Sequence, residues 1–498
     1  MEFRTVTPES VGVSTRGILS FLKELDAGAL TTDAVLMLKG NDLFFENYWA
    51  PFEKRFVHRL YSVSKSFVTL AAGFAVQDGL LRLDDPMDKF FAKELETQPD
   101  KAFGRQTVRN MLMMSTSKSA QDWFSARCED RVAFYFSNPT AFRAPGGCFE
   151  YDSTGTFVIG ALIERLTGKP LLQYLREKLF DRIGVSRSIR SLKCPGGHSW
   201  SDSGFLSTAE DLLRIARFTL NGGSWEGEQL LDGAYVREAT SRLIETSPQG
   251  LGEWNAQGYG YYFWTGFDDS FYFNGMGCQF AVCFPHQDLI FLTFGNNQGK
   301  DQAKHIIFDA FKRNILDAMH DHPLPEDPEA RVLLYDYVKD AKMPFEKGSA
   351  ASGMVPLVDG RTYLMSDNPM GIRRICLRFE KKDEACLYYT NAQGDKVLPA
   401  GLQKNVFTYF PETGWSDGTG SVPSPGHRYV AAVSGGWPVP HQFRMKVQFI
   451  DDYLGTLDMI FGFTEDGKNV TVQMVKACED FANEYQGWAT GTRVDAGA

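Results

Sequence analysis

Between Ser62 and Gln77 the chain carries Val63, Phe67, Val68, Leu70, Ala71, Ala72, Phe74, Ala75 and Val76, an apolar surface running nearly all the way round a helix. Such a helix has no polar face to offer water and must be wrapped by other elements. That demands a layered core, and 498 residues are enough to build one without metals or disulfides as staples. At roughly 150 residues to a domain, about three domains fit this length and two are also compatible with it. Apolar residues make up 43% and charged residues 23% of the chain, ordinary values that exclude disorder as the main state.

The flanking segments supply the wrapping. Ile18, Leu19, Phe21, Leu22 and Leu25 recur at helical spacing over 14–27. Strands are expected over 34–39 and 42–48, joined by Gly40-Asn41 as a two-residue hairpin turn. Gly79 is placed to end the apolar helix. From about 85 to 260 the chain reads as mostly helical, with helices over 154–166 and after Ser207-Thr208-Ala209-Glu210, a capping-box pattern. Strands return over 271–273, 280–284 and 289–294, and a helix over 302–319 closes this part. Chain ends that supply strands and helices around a helical insert point to an α+β domain over 1–320: an antiparallel sheet flanked by helices, with an inserted helical lobe. The cleft between sheet and lobe is a natural ligand site.

Residues 320–328, His-Asp-His-Pro-Leu-Pro-Glu-Asp-Pro, hold three prolines and open a linker expected over 321–350. Over 351–498 the pattern changes to short alternating or aromatic-rich runs at 374–379, 385–389, 406–410, 429–433, 443–449, 456–463 and 470–475. Asn391-Ala392-Gln393-Gly394 and Glu465-Asp466-Gly467 punctuate them as turns. This predicts a C-terminal all-β barrel or sandwich domain, with Tyr388, Tyr389, Trp415 and Trp437 as core aromatics.

Lysine and arginine number 52 against 62 aspartate and glutamate, a net charge of −10. An acidic chain without a basic run or a basic amphipathic helix is a poor partner for nucleic acid or a membrane surface. The longest apolar run, 67–76, falls far short of the ~20 residues that span a bilayer. The start, Met1-Glu2-Phe3-Arg4, shows no signal peptide, so the chain as given reads as cytoplasmic. Its eight cysteines are scattered without a Cys-x-x-Cys pair and read as reduced. Its eight histidines are equally dispersed, and no ligand cluster stands at metal spacing, so neither metal nor cofactor is expected.

No Gly-x-Ser-x-Gly elbow, Walker loop or His-Glu-x-x-His helix occurs. Ser-x-x-Lys occurs three times, at Ser20/Lys23, Ser62/Lys65 and Ser115/Lys118. On a helix this spacing puts both side chains on one face, a turn apart. A lysine there can take the serine proton where burial or positive charge favours the neutral amine. Context separates the three copies. Ser20 lies inside an amphipathic helix and Ser115 in a polar Ser/Thr stretch. Ser62 opens the most apolar helix, where unbonded backbone N–H groups can face an oxyanion.

Tyr61-Ser62-Val63-Ser64-Lys65-Ser66-Phe67, followed by Asp78-Gly79-Leu80-Leu81-Arg82-Leu83-Asp84-Asp85-Pro86, resembles the serine β-lactamase and penicillin-binding protein superfamily, chiefly the class C branch with its esterase, amidase and peptidase relatives. Further stretches agree in order. Pro145-Gly146-Gly147-Cys148-Phe149-Glu150-Tyr151-Asp152-Ser153 resembles the second motif, Tyr-x-Asn or Tyr-x-Ser, at the head of a helix. Gly204-Phe205-Leu206-Ser207-Thr208-Ala209-Glu210-Asp211-Leu212 resembles the family's Gly-Leu-x-Ser-Thr-x-x-Asp-Leu signature, and Gly275-Met276-Gly277-Cys278-Gln279 stands where the third motif's strand is due. The resemblance covers about residues 8–320.

It implies Ser62 as acylated nucleophile, Lys65 as its general base and Tyr151 as the proton shuttle to the leaving group. A phenol ordinarily titrates near ~10, so this role needs nearby positive charge, for which Lys65 is the candidate. Asp152 beside it would work the other way and is expected to point elsewhere. The oxyanion hole is expected from the Ser62 N–H and one near Met276 or Gly277. Ser153 and Asn274 complete the implied substrate contacts. The third motif, usually Lys-Thr-Gly or His-Thr-Gly, is here Asn274-Gly275-Met276 or Phe273-Asn274-Gly275, so no cation stands there to grip a substrate carboxylate. Ser153 replaces asparagine in the second motif. Both departures resemble the esterase and amidase relatives and imply weak or absent β-lactamase activity. The expected substrate is a small-molecule ester or amide, with a D-aminopeptidase or D,D-carboxypeptidase acting on a short peptide, or a non-catalytic penicillin-binding-like sensor, as alternatives. The C-terminal domain resembles lipocalin-like barrels appended to some relatives, and homo-oligomerisation is left open.

Overall fold

The computed structural model describes residues 2–96, 102–117, 128–137, 143–194, 196–247, 252–413, 428–479 and 481–494. The chain divides into two compact units, Met1–Met343 and the chain from Pro344 onward, residues 420–422 aside.

In the first unit the elements used below are β1 (Arg4–Thr5), α1 (Thr15–Ala27), β2 (Ala34–Lys39), β3 (Asp42–Tyr48), β4 (His58–Arg59) and α2 (Val63–Gln77). They continue with α3 (Arg131–Ser137), α4 (Ser153–Thr167), β5 (Arg190–Ser191), β6 (Phe205–Ser207), α5 (Ala209–Leu220), β7 (Ser224–Trp225) and β8 (Glu228–Gln229). Last come β9 (Trp264–Thr265), β10 (Phe271–Gly275), β11 (Gln279–Phe284), β12 (Leu289–Phe294), α6 (Ala303–Phe311) and α7 (Pro328–Val338).

A seven-stranded sheet runs β1-β3-β2-β12-β11-β10-β9. The N-terminal hairpin thus joins the later strands through β2 and β12, paired antiparallel from Ala34↔Phe294 to Lys39↔Leu289. This is the α+β arrangement expected from the order of elements. Only the edge strand β1 runs parallel to its neighbour. Gly40 takes φ +58 in the β2–β3 turn, the left-handed conformation such a hairpin needs. On one face α1 and α6 are seated by an aromatic stack, with Phe291 of β12 lying 4.1 Å from Phe311 and 5.5 Å from Phe21. α5 packs against β2, β11 and β12, while α2 packs against β10 and α4. α2 is buried from Val63 through Ala75, as its all-round apolarity requires.

Several local expectations need correction. Ser207 does not cap α5, because it is still extended in β6 and paired with His58. The cap falls to Thr208, whose side chain accepts from Asp211 N, and Glu210 instead pairs with Lys54 and Arg214. The mostly helical stretch also contains β5 and β6, which join β4 in a small sheet, and the β7–β8 hairpin, all with strands too short for any periodicity. The closing helix gives way after Phe311 to a wider turn over Lys312–Leu316, where Asp317 N bonds Lys312 O. The segment expected as a linker holds α7. Pro328 is the first residue of that helix, where the missing N–H costs nothing, and Asp327 caps it through Ala330 N.

The second unit is all-β: β13 (Thr362–Met365), β14 (Arg374–Lys381), β15 (Glu384–Asn391), β16 (Gly394–Leu402) and β17 (Val406–Thr413), then β18 (Arg428–Val439), β19 (Gln442–Ile450), β20 (Leu454–Phe463), β21 (Asn469–Cys478) and β22 (Gly487–Arg493). A ten-strand sheet closes through a β16–β18 pairing into a nine-strand barrel, with β17 attached to β18. The barrel alternative is therefore the correct one. β13, β16 and β22 escaped the sequence pattern: β16 carries Gly394, Pro399 and Gly401, and β22 is mostly small residues. Tyr389 and Trp437 are buried as expected, Tyr388 is half-buried, and Trp415 lies outside the described residues.

Phe311 ties α6 to α1 and the sheet. Phe311→Ala should cost about 3–5 kcal/mol of first-unit stability, read by denaturant unfolding.

Candidate active site

β4 pairs antiparallel with β6, and Leu60 N extends the pairing with a 2.9 Å bond to Phe205 O. Tyr61 then takes φ +49, an uncommon conformation for a bulky residue, and the turn delivers Ser62 to the head of α2. α2 is pinned there by its few hydroxyls. Ser64 Oγ accepts from Phe205 N at 3.1 Å, Ser66 Oγ donates to Tyr262 O at 2.8 Å, and Thr69 Oγ1 donates to Tyr261 O at 2.5 Å. Lys65 is 1% exposed. Its Nζ lies 3.0 Å from Ser62 Oγ and donates to the backbone carbonyl of Asp202 at 2.8 Å.

The other two copies of Ser-x-x-Lys have different surroundings. Ser20 and Lys23 are both exposed on α1. Ser115 is buried and donates to Asn110 O, and Lys118 lies outside the described residues.

Tyr151 precedes α4 and is half-buried. Lys65 Nζ stands 5.2 Å from the centre of its ring, which stacks at 5.9 Å on Trp264 of β9. Asp152 is taken up by α4: it caps the helix through Gly155 N at 3.0 Å and accepts from Thr154 Oγ1 and Thr116 Oγ1. Ser153 is the first residue of α4 and half-buried.

Asn274 lies on β10 opposite Phe280. Gly275 follows, and a Cβ there would stand 2.3 Å from the carbonyl oxygen of Leu60, so the end of β10 abuts the segment that leads into Ser62. Only glycine permits that approach. Met276, 42% exposed, and Gly277, with φ +80, form the β10–β11 turn. Gln279 Nε2 holds the turn by donating to Met276 O and Gly295 O, and Asn297 N donates to Gly277 O. Gln298 Nε2 reaches Tyr61 Oη at 3.3 Å. Ser62, Lys65 and Tyr151 therefore come together, and the Asn274–Gly277 stretch abuts the same turn. A cavity of about 580 Å3 lined by Arg237, Arg242, Asp268 and Ser270 contains none of these residues.

Three groups escaped sequence reasoning. Trp264 backs Tyr151, Asp202 receives Lys65, and Lys304 sits in the first turn of α6. Lys304 Nζ bonds Tyr272 Oη at 2.9 Å and Asn255 Oδ1, and faces the rings of Tyr272, Phe308, Trp264 and Phe280 at 4.5–5.7 Å. Burial pulls its ammonium down to about 7. No spacing marks these residues, because their partners are distant in the chain. Among the described residues no three His, Cys, Asp or Glu side chains could hold a metal ion, and no helix is long and apolar enough to cross a membrane.

Residues 20–312, more than half of the chain, match the Beta-lactamase family model. The chain belongs to the beta-lactamase family. A 6-aminohexanoate-dimer hydrolase of Paenarthrobacter ureafaciens is 26% identical over 220 residues, 41% of this chain and 56% of that protein. This chain thus spans little more than half of that relative's length. A solved structure from Bacillus anthracis, provisionally named a 6-aminohexanoate-dimer hydrolase, superposes with a TM-score of 0.52 at 19% identity, over 66% of this chain and 89% of that one. Another from Bacteroides dorei, provisionally named a beta-lactamase, gives 0.52 at 15% identity over 61% and 99%. These likenesses establish a β-lactamase fold, and the family is one of hydrolases.

Between pH ~7 and ~10.5 the folded state binds fewer protons at Lys304 than the unfolded chain does. Stability should therefore rise with pH across that window, and Lys304→Met should flatten the rise. Denaturant titrations at about pH 6, 8 and 9.5 check the sign.

Proposed function

We propose that this protein is a serine hydrolase that cleaves an ester or amide of a small molecule through an acyl-enzyme on Ser62. The carrying observation is the 3.0 Å approach of Lys65 Nζ to Ser62 Oγ at the head of a buried helix, with the Tyr151 ring beside the same nitrogen. In this reading Ser62 Oγ attacks the substrate carbonyl as its proton passes to Lys65. The oxyanion is held by the Ser62 N–H and an N–H of the Met276–Gly277 turn. Tyr151 delivers the proton to the departing alcohol or amine, and water then hydrolyses the acyl ester. Asn274 and Ser153 contact the substrate. Amide cleavage draws support from the relative named 6-aminohexanoate-dimer hydrolase. The absence of lysine or histidine from Asn274-Gly275-Met276 favours substrates other than β-lactam antibiotics.

A fluorophosphonate probe should add one mass equivalent to the wild type and none to Ser62→Ala. Tyr151→Phe should turn over p-nitrophenyl esters about 100-fold or more slowly while keeping its fold, as expected for loss of a general acid–base. Nitrocefin turnover at ordinary enzyme rates would overturn the substrate assignment. Release of D-amino acids from peptides would favour the peptidase alternative. An unlabelled wild type would favour a binding protein.

A further inference from the structure

The phenol of Tyr151 makes no hydrogen bond among the described residues, in contrast to Ser62 Oγ and Lys65 Nζ. The backbone on either side of it is fixed. Glu150 N donates to Met114 O at 2.9 Å, and Asp152 caps α4 through Gly155 N at 3.0 Å. Those bonds leave the side-chain torsions open, and the ring torsion of a tyrosine sits in a broad well. Contacts to the ring therefore decide where its oxygen stands. Lys65 Nζ lies 5.2 Å from the ring centre, and the Trp264 ring stacks at 5.9 Å with the two planes inclined by 20°.

The Trp264 indole is itself held from several directions. It is 5% exposed. Its backbone pairs with Tyr272 of β10 and bridges to Tyr259. Tyr259 meets the indole edge-on at 5.0 Å, and Phe149, two residues before Tyr151, does so at 5.7 Å. Phe149 and Tyr259 also touch each other at 4.9 Å. Lys304 Nζ stands 5.6 Å from the indole and is anchored by Tyr272 Oη at 2.9 Å. A plate enclosed in this way has little room to turn, so a ring stacked on it inherits its orientation.

We propose that Trp264 is a positioning residue for Tyr151: the enclosed indole keeps the phenol ring beside Lys65, where its oxygen passes a proton to the departing group. This rests on the reading of Ser62, Lys65 and Tyr151 given above. In that step the C–O or C–N bond of the substrate breaks, and the leaving atom takes the phenol proton. The proton that Lys65 took from Ser62 then replaces it on Tyr151. Without the plate, the ring samples other torsions and the donor is out of line for part of the time.

The test is a double-mutant cycle on the full chain, read with a p-nitrophenyl ester and the ethyl ester of the same acid. Trp264→Leu should lower kcat for the ethyl ester about 10-fold or more while KM stays within about threefold. The p-nitrophenyl ester, whose leaving group needs the proton less, should lose less. In a Tyr151→Phe background the same substitution should change the rate less than about threefold, because the proton it positions is gone. Trp264→Phe, which keeps a flat ring, should recover most of the lost rate. A merely structural role would lower the melting temperature and slow both backgrounds by the same factor. Equal factors in the two backgrounds, or an unchanged kcat in Trp264→Leu, overturn the proposal. If Trp264→Leu does not fold, Trp264→Met carries the same cycle. A Tyr151→Phe enzyme as fast as the wild type overturns the reading of Tyr151 itself, whereas a slow Tyr151→Phe with equal factors removes only Trp264.

Discussion

Helix α2 enters the core with Ser64, Lys65, Ser66 and Thr69 as its buried polar side chains, and each is bonded to a neighbouring segment. An unbonded hydroxyl or ammonium at this depth would be expensive, so the partners have no freedom to drift. Phe205, Asp202, Tyr262 and Tyr261 are therefore tied to α2 by its own polar atoms. The apolar remainder is covered by β10 and α4. The Ser62–Lys65 contact follows from this dry packing. A lysine on a solvated helix face is exposed, as Lys23 is one motif earlier.

A second consequence concerns the two walls beside Ser62. On one side Gly275 lets a strand end press against the Leu60 carbonyl, which brings the Met276–Gly277 turn to the start of the helix. On the other, Tyr151 stands between Lys65 and Trp264, and Lys304 lies against the Trp264 ring. Positive charge thus approaches from α2 and α6, whereas the third-motif strand carries none. Lys304 is already engaged by Tyr272 and Asn255, and burial disfavours its charge. The walls beside Ser62 are aromatic on one side and peptide-lined on the other.

The second unit solves a separate problem. Its strands alternate buried and half-buried residues, as in β15 and β20, and an open sheet of that kind would leave reactive edges. Pairing of Gly401 and Leu402 with Ser434 and Gly435 closes the ring. Glycine-rich stretches at this junction blur the alternation in sequence. They also explain why β16 and the later half of β18 were hard to read.

Local rules carried much of this protein. The apolar girdle of α2, the β2–β3 hairpin and its glycine, the strand pairs after residue 270 and the all-β character of the C-terminal unit were legible because periodicity and turn chemistry act over a few residues, whereas the choice of barrel over sandwich rested on the β16–β18 pairing. Ordered motifs placed Ser62, Lys65 and Tyr151 among the candidates. Tertiary structure decided the rest. It moved a cap from Ser207 to Thr208 because Ser207 was held by His58, and it made a helix of a proline-marked linker because Asp327 could cap it. It turned Asp152 into α4, and it set Asp202, Trp264 and Lys304 around the candidate residues. Those outcomes depend on which distant segments meet, and a buried charge or hydroxyl is satisfied only by neighbours that no local pattern names.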